Sequence, residues 1–114
     1  MLDLAMRAIQ ASLDGLAARQ RITAENIANV DTPGYLAGRI SFENSLAEAI
    51  KDGDPTASGI NPWHSLDPTR MNGNNVNVDD ENVSLVETGL RFELAVESMN
   101  NKFRILRDSI RRDT

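Results

Sequence analysis

Two stretches of this chain, one near each end, place apolar residues at alternating steps of four and three. Leu2, Met6, Ile9, Leu13, Leu16, Gln20, Thr23, Ile27 and Val30 mark the first. Leu85, Gly89, Phe92, Val96, Met99, Phe103, Leu106 and Ile110 mark the second. A helix of 3.6 residues per turn gathers such positions into one stripe, whereas a strand would scatter them over two faces. Each stretch therefore predicts a long amphipathic helix with a coiled-coil-like seam. Gln20 and Thr23 interrupt the first seam, and Gly89 leaves a gap in the second.

Both helices have end signals. Seven alanines in the first thirty residues support the N-terminal helix. At about 29 residues it would be ~43 Å long. It stops at Asn29-Val30-Asp31-Thr32-Pro33-Gly34-Tyr35. Pro33 presets φ for the first position of a type II turn, and Gly34 supplies the positive φ of the second. Asp79, Asp80 and Glu81 put acid where the C-terminal helix begins, and a solvated helix start is the expected reading. Val83, Val86, Leu90 and Leu94 form a second apolar side in its first half, which predicts more than one neighbour there. Lys102, Arg104, Arg107, Arg111 and Arg112 complement the dipole at its end.

The middle is less regular. Residues 40–50 predict a short helix with Phe42, Leu46, Ala49 and Ile50 on one face. Residues 51–78 carry three prolines, three glycines and many Asn, Asp and Ser. They read as a long irregular segment that is functional, disordered alone, or ordered by a partner. The fold class is mainly α: two long terminal helices packing coiled-coil-like in an assembly, joined by a short helix and a long loop. The expected division is an N-terminal assembly helix over 1–31, a connector over 32–80 and a C-terminal assembly helix over 81–114.

Composition narrows the function. Aromatic residues make up only 4% of the 114, a palette suited to helix packing. A net charge of −5 argues against nucleic acid and against simple docking on anionic lipid. No cysteine is present, so thiolate chemistry and disulfides are excluded. No apolar run approaches the ~20 residues of a membrane span, and the N-terminus lacks the pattern of a secretory signal.

His64, the lone histidine, stands beside Trp63 without a second His or Cys at ligand spacing, and reads as a loop contact. A calcium loop centred on Gly73 fails, because Pro68, Arg70 and Asp79 would occupy its first, third and twelfth positions. No nucleophile elbow, P-loop or dinucleotide turn occurs. The chain is expected to have no catalytic residue, metal or cofactor, and to take no small-molecule substrate.

The segment Asn26-Ile27-Ala28-Asn29, a short gap, then Thr32-Pro33-Gly34-Tyr35 closely resembles the signature of flagellar rod and hook proteins. Residues 74–81, with Leu90-Arg91-Phe92 and Lys102-Phe103-Arg104-Ile105-Leu106-Arg107, look like the C-terminal region of short proximal rod subunits in that family. The resemblance covers roughly residues 1–45 and 72–112. It implies export through the flagellar type III apparatus without a cleaved signal, and assembly in the periplasmic rod of the basal body. Implied partners are copies of the chain, other proximal rod proteins, the rod–ring adaptor and membrane-ring or export-gate components. It further implies a tubular drive shaft that transmits torque around an export channel. Leu2, Met6, Ile9, Leu13, Leu16, Ile27, Leu85, Phe92, Val96, Met99, Phe103, Leu106 and Ile110 would supply the assembly seams, and Asn26 and Asn29 would bond exposed backbone near the helix end. A self-contained helical bundle and a soluble adaptor with one partner are the alternative readings of the same seams.

Overall fold

A computed structural model describes residues 3–112. Helix α1 spans Leu4–Ala28, strand β1 Gly38–Ser41, helix α2 Glu43–Lys51, strand β2 Asn61–His64 and helix α3 Val78–Arg112. A short 3-10 turn at Pro55–Ala57 lies between α2 and β2. The two long terminal helices and the short central helix match the fold class read from the sequence. Leu2 of the N-terminal seam lies outside the described residues.

Local chemistry sets the helix ends. Asp3 caps α1 by accepting the Met6 N–H at 2.7 Å. At the other end, Tyr35 donates its N–H to the Thr32 carbonyl at 3.3 Å, and Gly34 has φ +74°, as a Pro-Gly turn requires. Helix α3 begins at Val78, before the acidic run. The Asn77 side chain caps it by accepting the N–H groups of Asp79 and Asp80.

The long helices run antiparallel. Asn26 meets Glu81 at one end of the pair, and Asp3 comes within 4.0 Å of Lys102 at the other. Helix α3 is the longer, 35 residues against 25, and its last ten residues run past the point where α1 begins. At 1.5 Å per residue that overhang is about 15 Å. The molecule is a rod-like body of 68 × 26 × 14 Å.

The small core lies between α1, the inner face of α3 and a layer made of β1, α2 and the chain around Val76. Met6, Leu16, Ala18, Ala37, Phe42, Ala49 and Val76 are its buried apolar members. The Phe42 ring lies directly over Gly15: a Cβ there would sit 2.5 Å from the ring. Arg19 covers the same ring, its guanidinium carbon 4.8 Å from the centroid. Gly15→Val is expected to destabilise the fold by about 1–3 kcal/mol through overpacking, read as a lower denaturation midpoint with an unchanged slope.

Two features of the middle differ from the sequence reading. Helix α2 starts at Glu43, because Ile40 and Ser41 belong to β1. Phe42 and Ala49 are buried, while Ile50 stays exposed at the end of the helix. The irregular segment contains β2, which pairs antiparallel with β1, Gly38 opposite His64 and Ser41 opposite Asn61. Such four-residue strands have no alternating pattern to betray them, and Pro62 speaks against a strand. Here β2 pairs on one side only, so the missing N–H costs no ladder bond on its open side. Trp63 ties the pair together by donating its indole N–H to the Ser41 hydroxyl at 2.9 Å.

Arg19 also donates to the Ile40 carbonyl at 2.9 Å and to Glu43, forming an ion pair of 2.5 Å. The hydrogen bond from Arg19 holds the Glu43 carboxyl at about 2, well below its ordinary value near 4.5, with burial opposing the shift. A depressed folded-state pKa contributes stability above the unfolded value, and that stability is lost as pH falls through the folded one. The pair's contribution is therefore present above pH 4.5 and disappears toward pH 2. Arg19→Met should move the Glu43 carboxyl midpoint, followed by NMR, back toward 4.5.

Candidate functional site

A polar clasp joins the end of α1 to the start of α3. Its members come from the signature segment and from the Asn-rich stretch before α3. Asn26 is fully buried. Its amide nitrogen donates to the Gly38 carbonyl at 2.9 Å and to Glu81 at 3.1 Å, and its oxygen accepts the Gly38 N–H at 2.8 Å. Both polar ends of one side chain are used, across 12 and 55 residues of sequence. Aspartate has no N–H to give the carbonyl, so the position demands an amide.

Asn74 and Asn75 repeat the device. Asn74, also fully buried, donates to the carbonyls of Asn29 and Thr32, each at 2.9 Å. Its oxygen accepts from Val76 and Arg70. Asn75 accepts the Ala37 N–H at 2.7 Å and donates to the carbonyls of Ser65 and Asp67. Arg70 adds bonds of 2.6 Å to the carbonyls of Val30 and Val76. The carbonyls left open where α1 ends, and those of the turn after it, thus receive donors from the far side of the chain.

The turns fit each other closely. Gly34 donates its N–H to the Asn72 carbonyl at 2.8 Å. Gly73 has φ +82°, and a Cβ there would lie 3.3 Å from the Gly34 Cα. Two positive-φ glycines back onto each other, and a side chain on either would part the turns or strain them.

Glu81 closes the clasp. It is 2% exposed, accepts from Asn26 and pairs with Arg39 at 2.7 Å. The expectation of a solvated helix start holds for Asp79 and Asp80, which are exposed, and fails for Glu81. The register of α3 turns Glu81 inward, onto the face that carries Thr88, and two partners satisfy its carboxylate.

The signature residues divide by position. Asn26 is the centre of the clasp. Asn29 bonds the Glu25 carbonyl through its side chain at 2.8 Å and accepts from the Thr32 hydroxyl. Asn29 therefore bonds backbone near the helix end, whereas Asn26 reaches away from it. Ile27 is half-buried and Ala28 exposed. Thr32, Pro33 and Gly34 form the exposed turn, and Tyr35 is half-buried, its carbonyl accepting the Asn75 N–H. Sequence reasoning gave no specific role to Arg39, Arg70, Asn74 or Asn75. The only signal was the density of Asn around Gly73, in a stretch that reads as irregular.

The seam residues divide too. Met6 and Leu16 are buried, and Ile9, Leu13 and Ile27 half-buried. Leu85, Phe92 and Met99 are half-buried on the α3 face that carries the buried Thr88. Val96 stands at its edge, more than a third exposed. Phe103, Leu106 and Ile110 continue the same face into the overhang and are 48%, 41% and 60% exposed. Val83, Val86, Leu90 and Leu94 occupy the opposite face, each more than half exposed. Single exposed apolar residues are ordinary, but two spaced rows on one helix mark contact surfaces.

Among the described residues, no group of three or more His, Cys, Asp or Glu is arranged to hold a metal ion, and no helix is long and apolar enough to cross a membrane. His64 lies exposed on β2. What this geometry offers is a rigid joint between two helices and open apolar surface along one of them.

Comparison with known proteins agrees with that picture. Residues 2–35 match the model of the family described as flagella basal body rod protein. The chain is 38% identical to the flagellar basal body rod protein FlgB of Bacillus subtilis, over 78% of this chain and 79% of that protein. It is 32% identical to FlgB of Borreliella burgdorferi, covering 81% and 84% of the two. With FlgB of Escherichia coli it shares 27% identity over 90% of each. The matched signature ends α1 and enters the clasp, and the coverage of these relatives reaches well beyond it, so the chain belongs to the FlgB family of flagellar basal body rod proteins.

Proposed function

We propose that this chain is a structural subunit of the proximal rod, built into the shaft through α1 and α3 rather than acting on a substrate. The observation that carries this reading is the apolar face of α3 that outruns α1, with Phe103, Leu106 and Ile110 open. In an assembly, helices from other subunits complete that face. Residues 1–31 and 81–114 serve as the assembly helices, and residues 32–80 as the connector that fixes their relative position. Its neighbours are further copies and other proximal rod proteins, with the rod–ring adaptor and the membrane-ring or export-gate components at the base. The chain reaches the periplasm through the flagellar export apparatus without a cleaved signal, and the finished shaft transmits torque around the export channel.

Deleting this chain in its native cell should abolish swimming and leave basal bodies without a complete rod. A plasmid copy should restore both. Normal swimming by the deletion strain would remove the basis for the proposal.

A further inference from the structure

The structure leaves α3 with two separate apolar rows, and their placement is not symmetric. Val83, Val86, Leu90 and Leu94 form the back row, and Phe103, Leu106 and Ile110 the tip row. Leu90 and Leu106, near the middle of each, are 16 positions apart in the sequence. On one helix that is about 24 Å along the axis and about 160° around it. One molecule therefore cannot bring its own rows together.

Their flanks carry opposite charge. Asp79, Asp80, Glu87, Glu93 and Glu97 accompany the back row, against Arg91, which pairs with Glu87 at 2.7 Å. Lys102 and Arg107 flank the tip row, one on each side, while Arg104, Asp108 and Arg112 lie on the other side of the helix. Like rows would oppose like charges, whereas unlike rows would attract and seat apolar residues at matching four-three spacing.

We infer that the tip row of one copy docks on the back row of the next copy of this chain, an inference that rests on the rod reading above. The contact joins different surfaces of identical subunits. Such a head-to-tail contact propagates as a ring or an open helix and does not stop at a two-fold dimer. The stagger of about 24 Å along α3 means that each added copy is displaced along the helix axis as well as around it.

The chain has no cysteine, which makes the test direct. Leu90→Cys and Leu106→Cys copies, carrying different tags, are supplied together as the cell's only source of the subunit. Basal bodies are isolated and mildly oxidised. A disulfide joining the two tagged chains is expected, at a level several-fold above the dimers given by either variant alone. Lys102→Glu with Arg107→Glu should reduce that product several-fold, and adding Glu93→Arg with Glu97→Arg to the same chains should restore it. If motile cells yield basal bodies containing the chain but no 90–106 link, or only links between like positions, this pairing is overturned while the rod reading stands. Recovery of position 106 joined only to a different protein overturns it equally. Complete rods that lack the chain altogether overturn both.

Discussion

Asn26→Ala is expected to destabilise the protein by about 3–5 kcal/mol, because it leaves buried polar groups without partners. Three hydrogen bonds of 2.8 to 3.1 Å disappear at once. The Gly38 N–H loses its Asn26 partner, and the Gly38 carbonyl and the Glu81 carboxylate each keep only Arg39. A domain of this size has a total stability of about 5–15 kcal/mol, so the loss is a large fraction of it. Denaturant titration of the purified chain gives the value directly. Asn26→Asp should be at least as damaging, since it sets a second carboxylate beside Glu81 and cannot donate to Gly38. A change under about 0.5 kcal/mol, the usual range for surface sites, would show that the clasp is not what joins the helices.

Phe103→Asp combined with Leu106→Asp is expected to do the reverse: little to the monomer and everything to assembly. Both side chains are about half exposed on the overhang, so the folded chain loses little buried area. Its melting temperature should shift by no more than a few degrees, as expected for surface substitutions. Two carboxylates placed in the tip row would each have to be buried without a partner in the assembled rod, costing several kcal/mol per subunit. Swimming should fall to the level of the deletion strain while the variant is still exported. Normal motility would mean that the overhang makes no essential contact.

Together the two variants separate tasks that sequence alone merges. The seam of α3 read as one continuous stripe from Leu85 to Ile110. Its angular placement was legible, since Leu85, Phe92, Met99, Phe103, Leu106 and Ile110 do share a side of the helix. Where α1 ceases to cover it was not, because spacing carries no information on how two helices are staggered. That stagger is set where the clasp joins the helices, and it leaves Asp3 4.0 Å from Lys102 at the other end.

The Pro33-Gly34 turn was legible because one residue fixes φ and the next permits a positive value, both local effects. The clasp was not, because its bonds span up to 55 residues and asparagine has no periodicity. Asn74 and Asn75 stood out only as a local cluster. Their partners, the carbonyls of Asn29, Thr32, Ser65 and Asp67, are backbone atoms that leave no mark in a sequence. Glu81 was misplaced for a related reason. An acid at a helix start is ordinarily solvated, and only the tertiary positions of Asn26 and Arg39 make burial tolerable.

The short strands and the connector follow the same logic. Asn61–His64 forms a strand because Ser65 and Asn75 anchor the neighbouring backbone at Ala37, not because its residues favour extension. The segment that looked unstructured is held by donors and acceptors supplied elsewhere in the chain. The joint is thereby fixed while α3 keeps two open apolar rows, and that is the property a rod subunit needs: a fixed joint and unfinished helix faces.

The central claim is that these faces are completed by other subunits in the rod. An electron-microscopy map of intact basal bodies, with this chain located in it, tests that claim most directly. The predicted result is density for α1 and α3 within the proximal rod, with the tip row and the back row both covered by neighbouring helices. A map that places the chain outside the rod, or within it with residues 103–110 facing solvent, would contradict the account.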